Sequence, residues 1–162
     1  MPLRCCSGAA MRCHPSKGYD RVAIYLSATL RQRLVEVDDH RCAYCRTSQA
    51  NSGSPMVVDH LLPLSKGGVT VFGNLCFACY RCNLFKGSQV TAIDPLSGEM
   101  VPLFHARRDR WGEHFAWDEA GLRILGLTPV GRATAAALNM NNDIILDARR
   151  NWIRLGWRPG TE

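Results

Sequence analysis

The stretches Cys42-Ala-Tyr-Cys45 and Cys79-Tyr-Arg-Cys82-Asn83-Leu-Phe-Lys86-Gly87 decide the fold that we expect of this chain. Each contains a Cys-x-x-Cys turn, called a knuckle below. Two knuckles are the usual way to hold one tetrahedral Zn²⁺ through four thiolates, because each turn presents two sulfurs to one point. The 33 residues from 46 to 78 exceed the insert of a plain zinc ribbon. We therefore predict a structural zinc site with a folded element between its two halves.

Three shorter motifs lie between the knuckles: Asp59-His60-Leu-Leu-Pro63, Lys66-Gly67-Gly68 and Asn74-Leu75. Together with the knuckles they resemble the zinc-bearing HNH endonucleases, which are ββα-metal nucleases. The resemblance covers about 46 of the 162 residues. It implies an α+β fold, in which a ββα-metal core is clamped by the four-cysteine zinc site and flanked by helices.

The resemblance also implies a role for each polar residue of these motifs. His60 is the expected general base, and Asp59 and Asn83 are the expected oxygen ligands of a catalytic Mg²⁺ or Mn²⁺. Asn83 stands where the family's name has its last histidine, and an amide oxygen favours these hard ions. Asn74 is expected to pin the loop that aims His60 at water. Contacts to phosphate are expected from Lys66, Arg81 and Lys86.

Asp59 and His60 are neighbours, so in a regular strand their side chains point to opposite faces. The strand must therefore bend or end near them if both are to serve one site. Pro63 and the two glycines that follow make such an ending plausible.

Two functions follow from these motifs. The first is a metal-dependent endonuclease that hydrolyses phosphodiester bonds in DNA, expected to be double-stranded. The second is a zinc-stabilised DNA-binding or adaptor module without catalytic turnover. The intact set of Asp59, His60, Asn74 and Asn83 favours the enzyme, because a pure binder needs no base beside a metal site. Monomer and homodimer both remain open: a monomer would nick one strand, whereas a homodimer could cut both.

The composition agrees with an anionic partner. The formal net charge is +6 and the pI is about 9.1; four thiolates around one Zn²⁺ would add −2 and leave about +4, a mild basic bias. No apolar run is as long as a membrane span, and the N-terminus lacks the apolar core of a signal peptide. Eight cysteines without a secretion signal indicate metal ligands and free thiols. We expect a cytoplasmic protein.

Three segments are predicted. Residues 1–18 contain Cys5, Cys6 and Cys13 but little apolar periodicity, and are expected to form a flexible N-terminal arm rather than a second metal site. Residues 19–90 form the HNH core, with a strand over 20–26 and a helix that Ser27 caps and that runs through Asp38. Residues 91–162 form a C-terminal helical extension packed on the core.

In the extension, Thr128-Pro129 and Asn142-Asp143 have the composition of helix starts. Before them, Arg107, Arg108 and Arg110 alternate with aromatic residues. Such a segment suits nucleic-acid contact, but it also suits a small satellite of the hydrophobic core. Both readings remain open.

Overall fold

A computed structural model describes residues 26–157, and the predicted arm (1–18) and most of the predicted strand over 20–26 lie outside them. The described part is α+β, with three separate two-stranded antiparallel sheets. Its helices are α1 (Ala28–Val37), α2 (Tyr80–Lys86), α3 (Trp111–His114), α4 (Pro129–Ala137) and α5 (Asp143–Arg154). Its strands are β1 (Val57–His60), β2 (Leu75–Ala78), β3 (Thr91–Ile93), β4 (Met100–Pro102), β5 (Phe115–Trp117) and β6 (Ile124–Gly126). None of these helices is long and apolar enough to cross a membrane.

The helix starts that the sequence predicted are confirmed by their caps. Ser27 Oγ accepts the backbone N–H of Leu30 at 3.1 Å and opens α1. Thr128 caps α4 in the same way, with Pro129 as its first residue, and Asn142 caps α5. Each cap satisfies a backbone donor that the first turn of a helix leaves without a partner.

The segment between the knuckles is a hairpin followed by a helix. Strands β1 and β2 pair in an antiparallel register that sets Val57 opposite Ala78 and His60 opposite Leu75. All four residues of β2 are buried, because knuckle, hairpin and extension cover both of its faces. Helix α2 begins directly after Cys79, whose sulfur accepts the backbone N–H of Cys82. The second knuckle is therefore also the first turn of α2.

The extension is joined to the core by a buried ion pair. The Asp38 carboxylate accepts two hydrogen bonds from Arg107, at 2.8 and 2.5 Å, and one from the backbone N–H of Phe77 at 2.7 Å. Arg107 also donates to the carbonyl of Leu75 at 2.7 Å. A bidentate pair of this kind fixes both partners, so Arg107 ties the extension to the end of α1 and to β2.

The aromatic residues of the same segment are core residues. Trp111 donates its indole N–H to the carbonyl of Tyr44 at 2.8 Å, and Phe115 is buried in the hydrophobic core. The satellite reading is therefore correct for these aromatics and for Arg107. Arg108 and Arg110 are exposed and stay available to a partner.

The extension contains two hairpins, β3–β4 and β5–β6, as well as helices. Arg132 of α4 makes two hydrogen bonds, at 2.8 and 2.6 Å, to Asp94 in the turn after β3. Helix α4 also crosses β6 closely: a Cβ on Gly131 would lie 2.0 Å from the carbonyl oxygen of His114, and one on Gly126 would lie 2.4 Å from the nitrogen of Arg132. Only glycine permits this approach.

Gly131→Ala is therefore expected to destabilise the protein by about 1–3 kcal/mol or more, the usual cost of overpacking, because the clash is with backbone that cannot move aside. The free energy of unfolding from a denaturant titration measures this. Gly112→Ala in α3 is the matched control, since nothing lies within 4 Å of its Cβ position and alanine is the better helix residue. Equal transition midpoints for Gly131→Ala and the parent would contradict the close crossing.

Candidate active site and metal centre

The four cysteines of the two knuckles form one buried cluster. Their sulfurs all lie within 4.8 Å of one another, and those of Cys45 and Cys79 are 3.7 Å apart. A tetrahedron with Zn–S bonds of about 2.3 Å has S···S edges of about 3.8 Å. The cluster is therefore compatible with zinc, and it brings together Cys42, Cys45, Cys79 and Cys82 as the sequence predicted.

The chemistry of the four sulfurs also fits a cation. The pKa of Cys45 lies well below its usual value because thiols of the cluster, that of Cys42 foremost, donate hydrogen bonds to its sulfur. Burial raises the pKa of Cys42 well above its usual value. The protons that the four thiols carry must be lost when a metal binds.

One backbone hydrogen bond joins the first knuckle to β2, and a second closes the turn of the knuckle itself. The N–H of Ala43 donates to the carbonyl of Phe77 at 2.8 Å, and the N–H of Cys42 donates to the carbonyl of Thr47 at 2.9 Å. The turn is closed by Arg46, whose φ of +57° is left-handed. The knuckle and β2 therefore form one rigid unit.

Asp59 is 6 % exposed and lies at the centre of a polar network. The Tyr44 hydroxyl donates to its Oδ2 at 2.6 Å, and the Lys86 ammonium lies 3.3 Å from Oδ1 and 3.2 Å from Oδ2. Burial raises the pKa of Asp59, and the charge of Lys86 and the bond from Tyr44 oppose this effect. Tyr44 was missed in the sequence, although its place inside the first knuckle directs it toward the hairpin.

Lys86 does not lie where a phosphate contact was predicted. Its side chain is 2 % exposed, and its ammonium also donates to the carbonyl of His60 at 2.8 Å. A buried ammonium with protein oxygens as partners offers no surface to DNA. Lys86 therefore bonds Asp59 and the backbone of His60, and its predicted role must be corrected. Lys66 is exposed and Arg81 half-buried, so a phosphate contact from either stays a prediction.

His60 is the last residue of β1, and one nitrogen of its ring is hydrogen-bonded to a threonine hydroxyl. Its Nε2 lies 3.0 Å from the Thr70 hydroxyl, which leaves Nδ1 as the ring nitrogen available to a water molecule. Partial burial lowers the pKa of His60, which favours the neutral imidazole that a general base needs. Thr70 was missed because it lies ten positions after His60 in the sequence, and the loop between them brings the two side chains together.

Asn74 ties together both ends of the loop that follows His60. Its Oδ1 accepts the N–H of Leu62 at 2.8 Å, and its Nδ2 donates to the carbonyls of Leu62 and Val69 at 3.0 and 2.9 Å. Gly68 lies against the same point, because a Cβ there would be 1.9 Å from the Leu62 oxygen. Asn74 thus makes the contacts predicted of a loop-pinning residue. That it thereby aims His60 stays a prediction.

Gly68→Ala is accordingly expected to displace the pinned loop and to lower the rate of any chemistry at His60 by about 10²-fold, as a misplacement of about 1 Å can. The initial rate of plasmid cleavage is the measurement. Gly73→Ala is the control from the same loop, since its Cβ would meet nothing within 4 Å. Parent-like cleavage by Gly68→Ala would mean that this loop does not position the histidine.

Asn83 lies on α2, which packs against β1. Its amide group has no hydrogen-bond partner among residues 26–157, and no hydrogen bond there joins the side chains of Asp59, His60 and Asn83. Among the His, Cys, Asp and Glu side chains of the described part, the four cysteines form the one group of three or more that could hold a metal. A second metal would therefore depend on Asp59, the Asn83 amide oxygen and water.

A groove of about 350 Å³ lies between the loop that follows β1 and the extension. The core contributes Asn74 and Lys86 to its lining, and the extension contributes His105 and Arg108. The Nδ1 atom of His105 is buried without a hydrogen-bond partner in the described residues. The groove thus joins the pinned loop to the extension and carries the exposed cation of Arg108.

Comparison with known proteins gave one match. Residues 42–93 match the family model described as HNH endonuclease, and this segment contains both knuckles, the hairpin and α2. Searches of curated proteins and of solved structures found no match. An endonuclease cleaves bonds within a nucleic-acid strand, so the match indicates nuclease activity and a nucleic-acid substrate. Residues 42–93, about a third of the chain, are thus similar to the HNH endonuclease family.

Proposed function

We propose that the protein is a metal-dependent endonuclease that hydrolyses phosphodiester bonds in double-stranded DNA. In this proposal β1, β2 and α2 form a ββα-metal core, His60 is the general base, and Asp59 and Asn83 hold Mg²⁺ or Mn²⁺. The observation that carries it is the placement of His60: its Nε2 lies at Thr70, and its Nδ1 has no hydrogen-bond partner in the described residues. It stands at a strand end inside the matched segment, and Asn74 holds the loop that follows.

Hydrolysis of a phosphodiester needs an activated water, neutralisation of the phosphoryl charge and stabilisation of the leaving 3′-oxygen. His60 accepts the proton of the attacking water at Nδ1, while Thr70 holds Nε2 and thereby fixes the ring. A well-placed base of this kind contributes about 10²–10⁴-fold to the rate. The three hydrogen bonds of Asn74 keep the loop, and with it the histidine, in position.

The donor set suits a hard ion. A carboxylate offers about four acceptor positions, and at Asp59 the bonds from Tyr44 and Lys86 leave about one for a metal. The Asn83 amide oxygen, which has no partner in the described residues, would be the second protein ligand, and water and substrate would complete the shell. An ion held there by Asp59 and Asn83 would supply a Lewis acid for the phosphate and the leaving oxygen.

The sulfur site has a separate, structural role. We assign Zn²⁺ to Cys42, Cys45, Cys79 and Cys82, where the tetrahedral spacing and the soft donors fit it. With zinc bound, the two knuckles fix both ends of the segment that carries Asp59 and His60, and Asn83 follows the second knuckle directly.

The substrate strand is expected to lie along the groove beside Asn74. Arg108 at its far wall is a better phosphate contact than the buried Lys86, and Lys66 and Arg81 lie outside it as further candidates. Phosphate contacts of this kind carry affinity and register but no sequence information.

Incubation of supercoiled plasmid with purified protein tests the proposal. Nicked or linear products that require added Mg²⁺ or Mn²⁺ support the enzyme, provided the zinc content is unchanged in the metal-free control. Nicked circles alone indicate a monomer that acts on one strand; linear products indicate a homodimer. Salt-sensitive DNA binding without cleavage at any metal would support the adaptor module instead.

A further inference from the structure

Arg149 is a fully buried cation with an incomplete set of partners. It lies on α5 and is 0 % exposed. Its Nη1 donates to the carbonyl of Leu122 at 2.8 Å and to Asn141 Oδ1 at 3.2 Å. Its Nε and Nη2 atoms are buried and have no hydrogen-bond partner in the described residues. A buried charge is costly unless opposite charge lies nearby, so something must offset Arg149.

The cluster sulfurs can do so, together with the carboxylate of Asp118. Arg149 shares with Cys45, Cys79 and Cys82 the lining of a cavity of about 20 Å³, which has room for about one water. Burial lowers the pKa of Arg149, and Cys45, Cys82, Asp118 and Cys79 oppose that shift. Asp118 already accepts the backbone N–H groups of Leu122 and Arg123, at 2.7 and 3.0 Å. On its other side, Arg149 lies 4.9 Å from the centre of the Trp117 ring.

The sulfur cluster, once it holds zinc, carries negative charge that has to be offset by a nearby cation. Four thiolates around one Zn²⁺ carry a net charge of −2 (four negative charges against two positive), and the four cysteines are buried. Two negative charges in a water-poor site are as costly as the isolated guanidinium. The buried positive charge of Arg149 and the net negative charge of the zinc-bound cluster can therefore offset each other.

We propose that Arg149 is the counter-cation of the four-thiolate zinc centre. This rests on the zinc assignment of the proposed function but not on nuclease activity. All four ligands come from the matched segment 42–93, whereas the compensating charge comes from the last described helix. The extension then completes the metal centre. Groups around metal ligands typically change metal affinity by about 10–100-fold when they are mutated.

The test measures zinc release from the full-length, zinc-loaded protein to a chromogenic chelator, with far-UV circular dichroism to confirm folding. Arg149→Met removes the charge and keeps most of the volume; we expect zinc release at least about 10-fold faster. Arg149→Lys keeps the charge and should release zinc at nearly the parent rate. Arg150→Met is the control, because Arg150 is on the surface of the same helix and pairs with Asp147.

The comparison separates charge from packing. If Arg149 only braces α5 through Leu122 and Asn141, its effect is on stability, and zinc release should not depend on the charge at position 149. Equal release from Arg149→Lys and Arg149→Met, or parent-like release from folded Arg149→Met, would overturn the proposal. In the Co²⁺-substituted protein, loss of the charge should also shift the sulfur-to-metal absorption bands to longer wavelength.

Should Arg149→Met fail to fold, Arg149→Lys decides alone. Lower thermal stability with parent-like zinc release supports compensation by charge, and zinc release more than about 10-fold faster overturns it. These readouts do not involve DNA cleavage. A nuclease-inactive protein whose zinc release follows the charge at position 149 would refute the proposed enzyme and leave this inference standing.

Discussion

Replacement of Cys82 or Cys42 by serine is expected to unfold the core of the protein. The hairpin and α2 bury little surface of their own, whereas a structural zinc site can contribute roughly 10–16 kcal/mol. A domain of ordinary stability has only about 5–15 kcal/mol in total. Loss of one thiolate therefore removes a contribution as large as the whole stability. Far-UV circular dichroism and the zinc content of the purified variant measure the effect.

Cys76→Ser provides the control for this experiment. Cys76 is also a buried cysteine, on β2, but it lies outside the four-sulfur cluster. Its replacement places a hydroxyl in the core and should cost about 1–3 kcal/mol, the usual penalty for a buried polar group, with the zinc retained. A folded Cys82→Ser protein with a full equivalent of zinc would show that the sulfurs do not hold the metal.

His60→Ala is expected to leave the protein folded and to lower cleavage by about 10²–10⁴-fold, the contribution of a general base. The ring is only partly buried, and its one side-chain hydrogen bond in the structure goes to Thr70, so its loss costs little stability. The rate of plasmid nicking at saturating Mg²⁺ measures the effect, and the melting temperature and zinc content confirm an intact fold.

Thr70 provides a matched pair of variants for the same site. Thr70→Ser keeps the hydroxyl at His60 Nε2, and Thr70→Val removes it with almost no change in shape. Cleavage should be retained by the first and reduced by the second. If His60→Ala cuts plasmid as fast as the parent, the histidine is not the base and the assignment fails.

The sequence predicted those parts of the fold that depend on local signals. The knuckles are recognisable from spacing alone, and the helices of the extension begin where Thr128 and Asn142 offer caps. The contacts of Asn74 followed from the resemblance, and Gly68 shows why the glycine pair is there: its Cβ position is filled by backbone.

The side chains that the sequence assigned wrongly or left open are those whose partners are distant in the sequence. Lys86 has the composition of a phosphate contact, but α2 turns it inward to Asp59, 27 residues away. Arg107 looked equally suited to DNA and pairs instead with Asp38, 69 residues away. The periodicity of the sequence does not predict which arginine or lysine will pair with a buried carboxylate. That information exists only once helices and strands have packed.

Tyr44 connects the four-sulfur cluster to the site that we propose for the catalytic ion. Tyr44, in the Cys42–Cys45 turn, donates a 2.6 Å hydrogen bond to the Asp59 carboxylate, which we propose as a ligand of the catalytic ion. Oxidation of the sulfurs or lack of zinc should therefore change the position of the Tyr44 hydroxyl, and with it that of Asp59 in the proposed catalytic site. Cleavage should cease before the chain as a whole comes apart.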